Sequence, residues 1–450
     1  MMLLLVASRG RLVVAEELLI PPTVDEFSLN IEEGSEDSIS TSPEKKSASS
    51  ELLQSAPKDS SSLKPPWSKG SFTITPYGSL WANMVYATQR TNPGEFTFWV
   101  FSEEDQPEDA FAMDARRTRL GADITGPRLD LFGGADTAAK IEIDFLGEFV
   151  TENRPNARLR HGYWEAHNED YRLVIGQTWD VISPLHPGTL NFSVGWNGGN
   201  IGFRRAQFRL ERFVPLDEDW ELTLQGSANQ DVVADFPTDP SIRRESANWP
   251  VMEGRAAVSY SPCPKDPPLL AVGVSGHVGK VGFDFNQVGP PPLSLPPTDN
   301  VRIPTWSVNL DARLETENWI VQGEFFHGAN LSSFLGGIGQ GVCPCLRVPI
   351  HSTGGWLETV FHWTPDWESH LGAGIDDPDN NDSLLGRTYN RFIFGNLIWK
   401  ATEHLQTGFE LTFWKTLYHD TRVGLINPAL LTPDAPGRAV TGEWMVRYDF

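Results

Sequence analysis

The sequence predicts an all-β chain: a transmembrane antiparallel β-barrel of about sixteen strands, with short periplasmic turns, long outer loops and a disordered N-terminal tail. Three observations predict it. Apolar and polar residues alternate with period two along residues 71–450, and clear helical periodicity is absent there. The gaps between alternating segments are short and long by turns. The chain combines 16 Trp and 25 Phe with a mean hydropathy of −0.30, and no apolar run is long enough for a membrane-crossing helix. Strands with one face to lipid and one to water produce that combination.

The elements follow in chain order. Residues 1–70 contain only two aromatic residues, Phe27 and Trp67. Met1–Ala7 is apolar but lacks a basic start, and Val13-Val14-Ala15-Glu16 resembles a cleavage site, so 1–15 reads as a degraded or late-starting signal segment. Residues 16–70 read as a disordered or linker tail on the periplasmic side. Glu32–Ser62 is dominated by Ser, Glu, Asp, Lys and Pro and has too little apolar surface to offset chain entropy.

The barrel is assigned to 71–450, with strands expected at 72–88, 110–126, 138–150, 156–167, 171–180, 201–213, 220–229 and 251–261. The remaining eight are expected at 270–285, 303–316, 319–330, 352–364, 369–375, 388–402, 405–418 and 439–450. In the third, Ile141, Ile143, Phe145 and Phe149 oppose Lys140, Glu142, Asp144 and Glu148. In the tenth, Trp306, Val308, Leu310 and Leu314 oppose Ser307, Asn309, Asp311 and Glu315. In the last, Trp444, Val446, Tyr448 and Phe450 oppose Glu443, Met445, Arg447 and Asp449. The gaps after odd-numbered strands are long (89–109, 181–200, 230–250, 286–302, 331–351, 376–387, 419–438), except 151–155. Those after even-numbered strands are mostly short. One end of the sheet therefore carries turns and the other carries loops.

Composition narrows the function. A formal net charge of −23 argues against a nucleic-acid partner. Three Cys exclude a disulfide scaffold. Cys343 and Cys345 fall in an outer loop and Cys263 in a turn at the opposite end, so Cys263 should bridge neither. No G-x-S-x-G, P-loop or H-E-x-x-H motif occurs and the 10 His are scattered, so no catalytic set, cofactor or metal is expected and the chain does not read as an enzyme. Asp376, Asp377, Asp379, Asn380, Asn381 and Asp382 supply oxygen ligands, but their spacing does not fit an EF-hand loop. Surface acids are the expectation there, with a bridging divalent cation as the other reading.

Terminal Phe450 with Tyr448 two before it resembles the assembly signal of bacterial outer-membrane proteins. Gly176-Gln177-Thr178-Trp179-Asp180, then a Pro/Gly-rich loop, then Gly202-Phe203-Arg204-Arg205-Ala206-Gln207-Phe208-Arg209, resembles the DcaP-like and phosphate-selective porins. Gly374-Ile375-Asp376-Asp377-Pro378, followed by Arg387 and Asn390, is similar to segments of such porins. The resemblance covers residues 70–450. It implies a homotrimer in outer-membrane lipid, passing small hydrophilic solutes, with its third outer loop folded into the lumen. Here that loop is 181–200. The periplasmic coiled coil of some members is not expected, since residues 16–65 show no sustained heptad and several Pro.

Alternation places Arg117 and Arg119 (second strand), Glu142 and Asp144 (third), Arg158 and Arg160 (fourth), and Arg205 and Arg209 (sixth) toward the lumen. On the fourth strand this turns His161 to lipid. Two readings stay open. The arginines form a cationic track favouring anions such as dicarboxylates or phosphate, or they pair with Glu142 and Asp144 as ordinary cross-strand stabilisation. Loop 181–200, rich in Gly and Pro, is expected to be the constriction, with Trp179, Asp180, Phe192, Trp196 and Asn197 near the solute path. The competing functions are a non-conducting adhesin or structural barrel, a soluble multi-sheet carbohydrate-binding protein, and a lipase- or protease-like barrel enzyme. A lipid-facing aromatic girdle separates barrel from soluble protein, and conductance separates porin from adhesin.

Overall fold

A computed structural model describes residues 66–147, 154–231, 242–245, 247–262, 268–286, 295–344, 346–383, 385–419 and 435–450. The expected signal segment and nearly all of the expected tail (1–65), together with Cys263 and Cys345, lie outside the described residues.

Sixteen antiparallel strands form one sheet closed on itself. They are β1 (Phe72–Ala87), β2 (Ala110–Asp114 and Arg119–Thr125), β3 (Asp136–Asp144), β4 (Arg158–His167), β5 (Tyr171–Trp179), β6 (Arg204–Pro215), β7 (Trp220–Asn229) and β8 (Ile242–Glu245 and Val251–Tyr260). There follow β9 (Leu270–Phe285), β10 (Thr298–Glu315), β11 (Trp319–Ala329), β12 (His351–Thr364), β13 (Trp367–Pro378), β14 (Arg387–Lys400), β15 (Leu405–Tyr418) and β16 (Gly437–Asp449). Each pairs with the next, and β16 returns to β1 in register from Ser79↔Asp449 to Ala87↔Thr441. Phe450 completes the seam. Its N–H donates to the Gly78 carbonyl (3.0 Å), it accepts from the Gly78 N–H (2.9 Å), and its ring fills the space where a Cβ on Gly78 would stand. Closure gives each of the sixteen strands a paired neighbour on both sides, which is what crossing hydrocarbon with strands requires.

The period-two alternation puts apolar rows outside. Leu80, Phe111, Val308, Leu310, Leu357, Leu371, Phe413 and Trp444 are exposed, while Ser307, Asn309, Asp311, Glu358, Thr412 and Glu443 between them are buried on the inner face. A soluble sheet would cover those outer rows; a barrel in lipid presents them. At the turn end, Trp319 packs on Phe361, Phe361 on Trp363, and Trp367 stacks on Trp399. These rings form an aromatic belt at one interface.

Four local departures from the alternation have physical causes. β2 is interrupted at 115–118, where Arg116 pairs with Asp114 (3.0 Å) and Glu95 (3.1 Å) and the Thr118 N–H closes a turn on the Ala115 carbonyl (3.1 Å). β3 leaves the ladder after Asp144, where Leu146, inward by the same parity as Glu142 and Asp144, bridges to Asn156 and enters a buried cluster. β8 gains an outer piece, Ile242–Glu245, paired with β9. On β4 a bulge opposite Glu142/Ile143 leaves Arg160 as the extra residue. Arg158 before it, and His161, Tyr163 and Glu165 after it, are paired with inward residues of β3. His161 therefore lies inside, its Nδ1 3.0 Å from Thr178 Oγ1, and not toward lipid.

The interior is filled at the loop end. Phe96, Phe98 and Trp99 from the first loop, Leu146 from the second, Trp179 ending β5, Phe192 and Trp196 from the third loop, and Leu335 and Ile338 from the sixth form one buried cluster. Rings meet edge-on within it, Phe96 and Phe192 at 5.0 Å and Phe192 and Trp196 at 6.1 Å.

Candidate functional site

One stretch of wall, β2 to β6, carries the expected arginines. Asp144 Oδ2 lies 2.6 Å from Arg158 Nη2 and 3.0 Å from Arg160 Nη1. Glu142 accepts from Arg160 Nε (2.5 Å) and from the Tyr77 hydroxyl (3.0 Å). Arg119 stands across from inward-facing Ser79. Arg117 donates to the Leu190 carbonyl, lies 3.4 Å from Glu443 and sits 4.0 Å above the Trp81 ring. Arg205 pairs with Asp180 (2.8 Å), donates to the Ser333 carbonyl (2.9 Å) and covers the Phe334 ring at 3.9 Å. Arg209 pairs with Glu211 at 3.1 Å. Five of the expected arginines thus have an identified carboxylate partner, and for Arg158 and Arg160 it is the cross-strand pairing with Asp144 and Glu142 that the alternation allowed.

Alternation missed Arg204. It stands next to inward-facing Arg205, which assigns it to the outer face, yet it is buried, its guanidinium 4.4 Å above Trp179 and 5.0 Å above Phe203. It makes no ion pair among the described residues, and its Nη2 has no hydrogen-bond partner. Its charged neighbours are Arg160, Arg158, Asp144 and Arg119. The reason is position: β6 begins at Arg204, so no pleat fixes its face, and the turn at Gly202 (φ +97) folds it over the loop.

The third loop lies inside the barrel. Its first half passes β8, β11, β12 and β15, whose side chains receive its backbone, and at Leu190 it also meets Arg117. The Val181 N–H donates to Glu253 on β8 (2.9 Å), and the Leu185 N–H to Glu324 on β11 (2.7 Å). The Gly188 N–H reaches both oxygens of Glu358 on β12 (2.9 and 3.0 Å), and the Leu190 N–H reaches Glu410 on β15 (2.6 Å). His186 spans the interior: its carbonyl accepts from Gln322 on β11 (3.2 Å), while its ring lies 4.4 Å from Trp179 at the end of β5. Burial, with Arg204 and Arg160 close by, pushes the His186 imidazole down to about 3, so it is neutral at ordinary pH.

The second half of the loop packs rather than pairs. Phe192 and Trp196 sit in the aromatic cluster, Trp196 being 1% exposed, and the Phe192 ring lies 5.7 Å from the guanidinium groups of both Arg117 and Arg158. Asn197 is fully buried; its N–H donates to the Leu335 carbonyl and its carbonyl accepts from Asn390. Gly199, at φ +132, presses on β12, where a Cβ would lie 2.2 Å from the Gly355 carbonyl oxygen. The four wall glutamates carry no motif, so only their inward alternation was legible.

In the acidic segment 376–382, Asp377, Asp379, Asn380 and Asn381 are exposed surface groups, while Asp376 and Asp382 are engaged by neighbouring segments. Asp376 accepts from Ser352 (2.5 Å) and the Ile338 N–H (3.2 Å), and Asp382 from the His351 N–H (2.9 Å). Among the described residues, no group of three or more His, Cys, Asp or Glu is disposed to hold a metal ion.

No family model and no curated relative matches the chain. Solved structures do. The outer membrane channel DcaP of Acinetobacter baumannii is 17% identical with a TM-score of 0.63, covering 85% of this chain and 99% of its own. The anion-selective porin from Comamonas acidovorans is 13% identical with a TM-score of 0.51, covering 84% of this chain and 100% of its own. A loop-deleted OmpT, an outer membrane protein of Vibrio cholerae, is 10% identical with a TM-score of 0.50, covering 85% and 100%. The chain therefore has the fold of outer-membrane channels.

Proposed function

We propose that this protein is a porin: it lets small hydrophilic solutes diffuse passively across the outer membrane, favours anions such as dicarboxylates or phosphate, and uses loop 181–200 as its constriction. The observation that carries this reading is the placement of charge around that loop. Glutamates of β8, β11, β12 and β15 are engaged by loop N–H groups. The wall from β2 to β6 presents Arg117, Arg119, Arg158, Arg160, Arg205 and Arg209, with Glu142 and Asp144 between them, and Arg204 stands there without an ion pair among the described residues. Carboxylates spent on the loop leave guanidinium groups in excess over carboxylates on this wall, and charged rings of this kind set selectivity in pores. Attraction by paired, exchangeable arginines fits passage better than tight retention would.

The assembly we propose is a homotrimer. β3, β4 and β5 have 9, 10 and 9 residues, against 14 or more in β9, β10, β12, β14 and β15. Shorter strands make a lower wall, suited to contact with another copy rather than with lipid of full thickness. A second reading, a non-conducting barrel, draws support from the aromatic plug of the first, third and sixth loops.

The test is planar-bilayer recording of the purified protein under a KCl gradient, with Arg204→Gln alongside. Discrete channels with an anion-selective reversal potential that weakens in the variant support the porin and its arginine wall. Channels without anion preference refute the selectivity, and no channels from a heat-modifiable barrel favour the non-conducting reading.

A further inference from the structure

The third loop is held in two different ways along its length. Residues 191–201 are fixed by apolar packing: Phe192 and Trp196 in the aromatic cluster, and Ile201 against Phe326, Leu331 and Phe334. Between Ile182, which packs in the same cluster as Ile201, and Leu190, residues 183–189 depend mainly on polar seats. Four glutamates, each no more than 8% exposed, stand in order around the wall and take successive backbone N–H groups of this half. Side chains reinforce the seats. Ser183 donates to Glu324, Thr189 Oγ1 donates to Glu410 (2.6 Å), and Asn396 bridges Glu410 (2.9 Å) and the Gly188 carbonyl (2.8 Å). Glu358 is itself held by Gln322 (2.9 Å) and by His370, whose Nδ1 lies 2.6 Å away, with Glu368 and Lys400 beyond.

Resting on the porin reading above, we infer that residues 181–190 are a detachable strap, and that Glu253, Glu324, Glu358 and Glu410 are positioning residues that set the bore of the channel by holding it to the wall. The physical basis is the difference between the two kinds of hold. Apolar packing of the second half persists whatever the charge of the wall. The seats of the first half are charge-assisted hydrogen bonds, about twice as strong as neutral ones, and they lose that advantage once the carboxylate is neutralised. Apolar anchors within buried clusters stand near its two ends, Ile182 against Val251 and Phe326 and Leu190 against Ile398 and Met445. The fit at Gly188 is close: a Cβ there would stand 2.3 Å from His370 Nδ1 and 2.9 Å from Glu358 Oε1. Any side chain at 188 therefore lifts the strap from its strongest seat. His186, which spans from Gln322 to Trp179, lies on the same half and moves with it.

The experiment compares the parent protein, Glu358→Gln/Glu410→Gln and Gly188→Ala in planar bilayers, after each shows a heat-modifiable barrel on gels. The glutamine pair keeps shape and an acceptor oxygen but removes charge; the alanine leaves every wall residue intact. The strap predicts a larger single-channel conductance in both variants, with faster uptake into liposomes of neutral sugars that the parent retards. Channels of equal conductance in all three overturn the strap and leave the porin standing. A rise in Gly188→Ala alone overturns the role given to the glutamates. Channels in the variants but not in the parent support the strap as the closing element, and channels in none overturn the porin reading and the strap together.

Discussion

Replacing Asp180 tests how the root of the third loop is held. Asp180 and Arg205 are paired at 2.8 Å with both side chains 1% exposed. Asp180 also takes the Phe203 N–H (2.8 Å), tying the two ends of the loop together. Arg205 reaches on to Ser333 and Phe334 of the sixth loop. Asp180→Asn leaves a guanidinium buried without its counter-charge, and breaking a buried pair from one side costs about 3–5 kcal/mol. Arg205→Met leaves Asp180 uncompensated beside Glu253, whose carboxylate is a near electrostatic neighbour, and costs a similar amount. Asp180→Leu/Arg205→Met removes both charges, and a buried pair replaced by apolar groups is often close to neutral. The double variant should therefore be more stable than either single one, a coupling far outside additivity. The assay is urea unfolding of the folded barrel in detergent, followed by Trp fluorescence and by heat-modifiable mobility. Additive losses, with the double variant the least stable, would refute the argument, because they would mean that the pair is solvated and the loop root is open to water.

Three further outcomes are expected. Arg204→Gln should leave barrel stability nearly unchanged, since Arg204 has no ion pair among the described residues, while shifting the zero-current potential under a KCl gradient toward cations. Leu310→Arg, near the middle of the outer row that runs from Trp306 to Leu314, should cost about 2–4 kcal/mol on unfolding from lipid, whereas an inward change at Asn309 should cost less. Trp196→Ala should destabilise the plug by about 3–5 kcal/mol, read as protease nicking within the first, third and sixth loops while the barrel core survives.

How far the sequence could be read depended on what each position answers to. β7, β9 and β15 occupy the expected ranges, because turn residues bound them and alternation runs unbroken between. β3 and β4 were less legible. Leu146 and His161 obey the interior of the finished barrel, one as part of the loop plug and the other through a bulge that needs its partner strand. Among the site residues, the arginines of β2, β4 and β6 were legible as inward by parity. Their partners were legible only in part: Glu142 and Asp144 lie on the neighbouring strand and Glu211 two residues from Arg209 on its own, but Asp180 and Glu443 are brought in by the loop and by closure.

By itself the sequence determined the class of protein. Period-two patterning with an apolar outer row has a single way to satisfy every backbone hydrogen bond in lipid, and that is a closed sheet. Strand number, the order of turns and loops, and the inward face of most strands follow from local pattern. The tertiary structure decided what fills the barrel. Which loops enter, where Phe192 and Trp196 are buried, and that four glutamates far apart in the chain seat one loop all depend on contacts across the lumen. Those contacts bind residues far apart in the chain, 221 positions between Thr189 and Glu410 and 292 between Phe98 and Asn390. No local pattern encodes such a distance; it exists only once the sheet has closed.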